Sequence, residues 1–237
     1  MTDLFTKVCN GNEWPVLQHI HRHDPDLCPR PVSFAADPPT VTMTVVPGTP
    51  LPDRLTPPQI DALLEAINRL WAIPFDGPWR DDLGFARRLT CLPRPAGPLT
   101  GEAHDAARRW WHGPDPVLLQ QKPTVTVLGH RDPNLANYLW DGSRVRIVDF
   151  EDSCLSDPAN EVAILLEHLS ARDSGLHPGL FDVDPVRLLA ARRLWAMFWL
   201  WLLLPGGPSE RRNPPGTADL QAQRLLRLLA ATPPTPW

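Results

Sequence analysis

His130-Arg131-Asp132-Pro133-Asn134-Leu135-Ala136-Asn137, with Val148-Asp149-Phe150-Glu151 after two short apolar runs, is the stretch that decides how this chain is read. An Asp can accept the proton of an attacking hydroxyl. An Asn and a second Asp can offer oxygen ligands to a Mg²⁺ ion bridging the phosphates of ATP. The order His-Arg-Asp, four residues, then Asn points to phosphoryl transfer onto a hydroxyl. The surroundings agree. Residues 124–128, mostly β-branched, predict a strand running into the loop. Residues 137–140 and 144–148 flank Asp141-Gly142, a two-residue hairpin signal. Such a loop presents Asp132 to a substrate, and the return strand carries Asp149 back beside Asn137. Asp-Pro and Asp-Gly are also ordinary turn formers. The joint presence of Asp132, Asn137, His130, a hairpin and Asp149 favours a site over a plain turn. His130 is read as structural, holding the loop by hydrogen bonds.

Length and composition narrow the classes. A chain of 237 residues can bury a proper core as one large or two small domains, and 43% hydrophobic with 21% charged residues is globular composition. A net charge of −4 argues against a general nucleic-acid binder, which would carry a basic stripe. The apolar run 194–204 is too short to cross a bilayer and predicts a buried core helix, so no membrane partner is expected. Cys9, Cys28, Cys91 and Cys154 are widely spaced with no C-x-x-C pair, which predicts free thiols in a reducing cytoplasm. His19, His21 and His23 alternate, so they do not share one helix face, and a solvated helix end is preferred to a metal cluster.

Arginine is used almost everywhere a cation is wanted. Only Lys7 and Lys122 are lysines among 23 basic residues, and a retained lysine suits a site needing a compact point charge, such as a nucleotide phosphate. Lys122 lies in a polar loop, whereas Lys7 lies on a predicted strand, residues 4–9. Asn12 is expected to cap a helix over 13–21, with Pro15 in its first turn. Strands follow at 31–35 and 40–46, joined by an Asp37-Pro38-Pro39 turn. Pro47-Gly48-Thr49-Pro50 then reads as a hinge into a helical part. Ile60, Leu63, Leu64, Ile67 and Leu70 mark one face of a helix over 57–71. Further helices are expected at 102–111, 159–169, 185–204 and 217–230.

These motifs resemble those of the aminoglycoside phosphotransferase and choline kinase family. The resemblance is carried by Gly129 to Asn137, by Ile147-Val148-Asp149-Phe150-Glu151, and by Ser156-Asp157-Pro158-Ala159-Asn160-Glu161-Val162-Ala163 with Glu167-His168 after it. It implies an α+β, two-lobed protein-kinase-like fold: a small, incomplete antiparallel-sheet N-lobe with hinge over 1–48, and a mainly helical C-lobe over 49–237. It implies ATP and Mg²⁺ as cofactors, with Asp132 as base or substrate-orienting residue and Asn137 and Asp149 as metal ligands. Lys7 would contact the α- and β-phosphates, Glu13 would pair with Lys7, and adenine would lie against the backbone of Val45 and Val46. The implied partner is a small hydroxylated molecule, such as an aminoglycoside, amino alcohol or sugar, with no obligate protein partner. Glu151 and Asp152, with Asp157 and Glu161, would draw an amine toward the base or serve as an ordinary exposed helix start.

Two features depart from the family pattern. Such kinases place two strands and a nucleotide-covering loop before the lysine strand, whereas Lys7 lies almost at the start here. A late start codon or a missing cover is therefore expected, and with the latter weak ATP binding and wasteful hydrolysis. Lys7 and Glu13 are also only six positions apart. The alternative function is a catalytically silent kinase-like binding module. A protein kinase is disfavoured, because Asp149-Phe150-Glu151 replaces Asp-Phe-Gly and no Ala-Pro-Glu follows.

Overall fold

The computed structural model describes residues 3–232. Among these the chain runs β1 (Leu4–Val8), α1 (Glu13–His23), β2 (Pro31–Ala36), β3 (Pro39–Thr44), β4 (Thr49–Pro50), α2 (Pro57–Trp71), α3 (Leu83–Thr90), α4 (Pro98–Trp111) and α5 (Pro114–Gln120). It continues through β5 (Val127–Gly129), β6 (Tyr138–Trp140), β7 (Val145–Ile147), β8 (Cys154–Ser156), α6 (Pro158–Glu167), α7 (Pro185–Leu203) and α8 (Thr217–Ala230). By contacts it forms two compact units. The first takes the chain up to Arg80 with Val125–Glu161 and His168–His177. The second takes Asp81–Thr124, Val162–Glu167 and the chain from Pro178 onward.

In the first unit β1, β3 and β2 form an antiparallel sheet in that spatial order, with Lys7 opposite Val41 and Phe5 opposite Met43. Alternation turns Lys7, Val41 and Met43 to one face. Helix α1 buries Val16, Leu17 and Ile20 along one stripe, and Pro15 sits in its first turn, where a missing N–H costs nothing. Asn12 departs from expectation. It precedes the helix but makes no side-chain cap, because its amide is used elsewhere. Helix α2 begins as its sequence directs, with the Gln59 side chain accepting the Thr56 N–H at 2.9 Å and Pro57 at the first helical position. Its apolar face, Leu63, Ala66, Ile67 and Leu70, packs on β5 and β7.

The expected hinge is also a strand. Thr49 and Pro50 pair with Trp140 and Leu139, which makes a three-stranded sheet β4-β6-β7. Gly48 has φ +126°, and a Cβ there would lie 2.9 Å from the Trp140 carbonyl carbon. Only glycine fits so close an approach. The hairpin of β6 and β7 turns at Gly142, with the Asp141 carboxylate accepting the N–H groups of Ser143 and Arg144, each at 3.0 Å.

The second unit is helical. Leu89, Leu194, Met197, Leu200 and Leu225 are fully or almost fully buried where α3, α4, α7 and α8 meet. The run 194–204 gives this core Leu194, Met197, Leu200 and Leu204 while Phe198, Trp199 and Trp201 are half-buried, and no described helix is long and apolar enough to cross a membrane. Two arginines of α7 close the ends of other helices. Arg187 donates to Leu118 O and Gln121 O at 3.0 Å, and Arg193 donates to Leu228 O at 2.9 Å and Ala231 O at 2.6 Å. They satisfy carbonyls that a helix end leaves open. Helices α3 and α5, absent from the sequence expectations, are short, and α5 holds two prolines that read as breakers.

Candidate active site

The loop over 130–137 is braced by the aromatic ring of Phe150 and by the His130 imidazole. Phe150 is fully buried, and the His130 ring stands edge-on to it with centroids 5.0 Å apart. His130 Nε2 donates to Val148 O at 2.8 Å, so the imidazole ties the loop over 130–137 to the residue just before Asp149. This is the partner that sequence left unnamed. Ser153 Oγ donates to His130 O at 3.3 Å. Farther along the loop, Leu135 N–H donates to Ser170 Oγ at 3.0 Å, and that hydroxyl lies 2.8 Å from His168 Nδ1. Since Nδ1 also accepts the Ser170 N–H, it carries no proton. No local sequence signal announces a support 35 positions away from the loop.

Asn137 is held by Asp132. Its Nδ2 donates to the Asp132 carbonyl and to Asp132 Oδ2, each at 3.0 Å. The amide nitrogen being so used, the oxygen is the atom offered elsewhere. The backbone bond from Val148 N–H to Asn137 O, 2.9 Å, brings the return strand alongside. Asp149 then turns back with φ +69°, and Arg131, just before Asp132, has φ +72°. Left-handed backbone at two non-glycine residues flanking one site is a concentration of strain of the kind found at functional centres. Arg131 N–H donates to Glu161 Oε2 at 3.3 Å.

Lys7 comes from the sheet and Glu13 from α1. The Lys7 ammonium is 2.9 Å from Glu13 Oε2 and also bonds Asp149 Oδ1. The short connection is possible because Gly11 takes φ +86° and reverses the chain within it. Burial alone would lower the Lys7 pKa, but the bonds and charges of Asp149 and Glu13 outweigh it and hold it above its ordinary value. Burial raises that of Glu13, with the Lys7 charge opposing. The ammonium stays protonated between two carboxylates.

These groups line one cavity of about 300 Å³ together with Phe5, Pro29, Met43, Thr44, Val45, Val46, Leu139 and Val148. Lys7, Glu13, Val45, Val46, Asn137 and Asp149, each singled out in the sequence, thus meet in one place. Glu13, Asp149 and Glu151 can bring a carboxylate oxygen each within 4.8 Å of one another. Asp132 and His130 are not among the lining residues. Asp152 is exposed and pairs with Arg80 at 3.2 Å. Asp157 and Glu161 are buried rather than an exposed helix start, and the Asp157 carboxylate accepts the Ala159 N–H at 2.8 Å. Lys122 is exposed in the second unit. Contrary to the expectation that the alternating histidines share no helix face, His19 and His23, four positions apart, bring their rings together, tilted, with centroids 4.5 Å apart, and each ring bonds a backbone carbonyl. All four cysteines are free, and burial, with the Asp24 charge second, pushes the Cys28 thiol up to about 12.

A strand-borne lysine paired to a helix acid, beside an Asp–Asn loop and a second Asp, on an α+β kinase-like fold, defines a small-molecule kinase. The model of the phosphotransferase enzyme family matches residues 12–195, and the chain belongs to that family. Solved structures agree in fold. A choline/ethanolamine kinase family protein from Mesorhizobium loti is 18% identical with a TM-score of 0.67, over 97% of this chain and 83% of the other. Choline kinase LicA from Streptococcus pneumoniae is 13% identical with a TM-score of 0.65, over 97% and 86%. A thermostable mutant of aminoglycoside phosphotransferase APH(4)-Ia, solved as a ternary complex with AMP-PNP and hygromycin B, is 18% identical with a TM-score of 0.65, over 97% and 86%. No curated protein matches the chain by sequence.

Proposed function

We propose that this protein moves the γ-phosphate of ATP to a hydroxyl of a small molecule, an aminoglycoside-like compound, an amino alcohol or a sugar. The observation that carries the proposal is the single cavity where Lys7, Glu13, Asn137 and Asp149 meet, with Asn137 held in turn by Asp132. Lys7, charged and flanked by Glu13, suits the α- and β-phosphates as a point charge. Val45 and Val46 form an apolar wall for adenine. Lobes over 1–48 and 49–237 remain part of this proposal, as does a cytoplasmic setting, which the four free thiols support.

The donor set fits Mg²⁺. Asn137 can offer an amide oxygen and Asp149 a carboxylate, both facing the cavity, and oxygen ligands are what this ion takes. Bound there, it would neutralise charge on the phosphates. The chain's own residues do the rest. Asp132 accepts the hydroxyl proton or orients the hydroxyl, and the Asn137 amide keeps its carboxylate turned to the loop. Relatives in fold bind AMP-PNP with hygromycin B or are choline kinases, which supports amine-bearing alcohols as acceptors.

Screening ADP formation with Mg²⁺-ATP over amines, sugars and aminoglycosides tests the proposal. At least one acceptor should raise ADP release above the acceptor-free rate, and Asp132→Asn should cut that turnover by about 10²–10⁴-fold with nucleotide binding kept. Nucleotide binding with no turnover on any acceptor would instead favour a silent binding module. Unchanged turnover in a folded Asp132→Asn protein would remove Asp132 from the mechanism.

A further inference from the structure

The turn after Asp149 is held by side chains that the proposed reaction does not use. Asn12 stands where a side chain ordinarily caps a helix, yet it makes no cap. Its Nδ2 donates to Glu151 O and to Ser153 O, both at 3.0 Å. Asn10 adds a bond from its own Nδ2 to Glu151 O at 2.9 Å, and its Oδ1 accepts the Asn12 N–H at 2.9 Å. One position on, Glu13 Oε1 accepts the Phe150 N–H at 3.3 Å. Adjacent side chains at the start of α1 therefore take up three backbone groups of residues 150–153. Immediately before them, Asp149 has φ +69°, a conformation that persists only where neighbours over-determine it.

We propose that Asn12 is a positioning residue for Asp149, its carboxamide, braced by Asn10, clamping the turn over 149–153 so that the Asp149 carboxylate is presented to the cavity. The chemistry demands an amide. Two carbonyls must be met by two hydrogens on one atom, which Asn supplies, whereas Asp is an acceptor only. The metal-presenting purpose rests on the function proposed above, while the clamp does not.

Hydrogen–deuterium exchange on the ligand-free protein reads the clamp directly. Asn12→Ala and Asn12→Asp should speed exchange in peptides covering 148–154 by about tenfold, with α2 peptides unchanged as the internal reference. Asn10→Ala, which removes one of the three carboxamide bonds to the turn, should give a smaller rise and serves if the Asn12 variants do not fold. Calorimetry with AMP-PNP should then show about tenfold weaker binding in Mg²⁺ for the Asn12 variants and a smaller loss in chelator. Unchanged exchange over 148–154 overturns the clamp. Faster exchange with equal losses in Mg²⁺ and chelator overturns its role in presenting Asp149. If the unsubstituted protein binds no AMP-PNP, the proposed function fails, and exchange alone still decides the clamp.

Discussion

Asp149 and Arg131 each occupy left-handed backbone, which costs a residue with a Cβ about 1–2 kcal/mol. Both are offset by named bonds: Arg131 N–H to Glu161, and the Asn12, Asn10 and Glu13 contacts to the turn after Asp149. His168 raises a different issue at the same scale. Burial outweighs the favourable Asp132 charge, with Arg172 adding to the burial effect, and pushes the imidazole down to about 4. An unfolded histidine titrates near 6.5, so between those values the unfolded chain binds more protons and stability rises with pH. The contribution is complete above about pH 6.5 and is lost as pH falls toward 4. Its ceiling is about 3 kcal/mol. His168→Asn, whose Oδ1 can replace Nδ1 as acceptor for Ser170, should lose less stability between pH 7 and pH 4 than the native protein. Urea unfolding at a series of pH values measures the difference, and parallel curves would show that His168 is not held neutral.

Elements in this fold are shaped by the neighbours that complete them. Two residues of the Pro47-to-Pro50 segment become β4 only because β6 pairs with them, and the pairing needs Gly48 at the Trp140 backbone. Gly48→Ala adds a methyl to a space 2.9 Å from backbone carbon and oxygen that cannot yield as a flexible side chain would. It also strains φ +126°. The expected loss is about 1–3 kcal/mol, read as a lower urea midpoint with an unchanged slope. Because Val45 and Val46, which line the cavity, closely precede Gly48 in the chain, adenine-nucleotide affinity should fall as well on the function proposed above. An unaltered midpoint would mean that β4 detaches without cost. The hairpin itself was legible, since Asp141-Gly142 carries a turn in its own side chain and φ. The cap expected at Asn12 was not observed, because a local pattern does not record which distant carbonyls compete for the same amide.

At the scale of the whole molecule the two contact units use charge differently. The first gathers it round the cavity, whereas the second buries Glu167 between arginines. Glu167 is fully buried, bonded by Arg192 at 2.7 Å and by Arg224. Removing one partner of a buried ionic set leaves the others uncompensated, commonly at about 3–5 kcal/mol. Glu167→Gln should therefore destabilise the second unit by an amount of that order, seen as a lower thermal midpoint in calorimetry. Glu167→Asp, which keeps the charge but shortens the reach, should lose less. Equal midpoints for all three proteins would show that the arginines are satisfied without it.

The sequence alone determined the family, through the motifs of its candidate loop, and the long periodic helices. Asp132, Asn137 and Asp149 stand in the local order expected of a phosphoryl-transfer loop, and Leu63, Ile67 and Leu70 recur at the period of a helix face, so both signals are contained within short stretches of chain. Lys7 and Glu13 were readable as residue types but not as a firm pair. Their six-residue spacing closes because Gly11 takes φ +86°, which residue type and spacing alone do not fix. What only the tertiary structure decided is everything that joins distant segments: His130 to Val148, Ser170 to Leu135, and Asn12 to Glu151 and Ser153. Each is a hydrogen bond between groups that every sequence has in abundance. Which donor meets which acceptor is fixed by packing rather than by residue pattern.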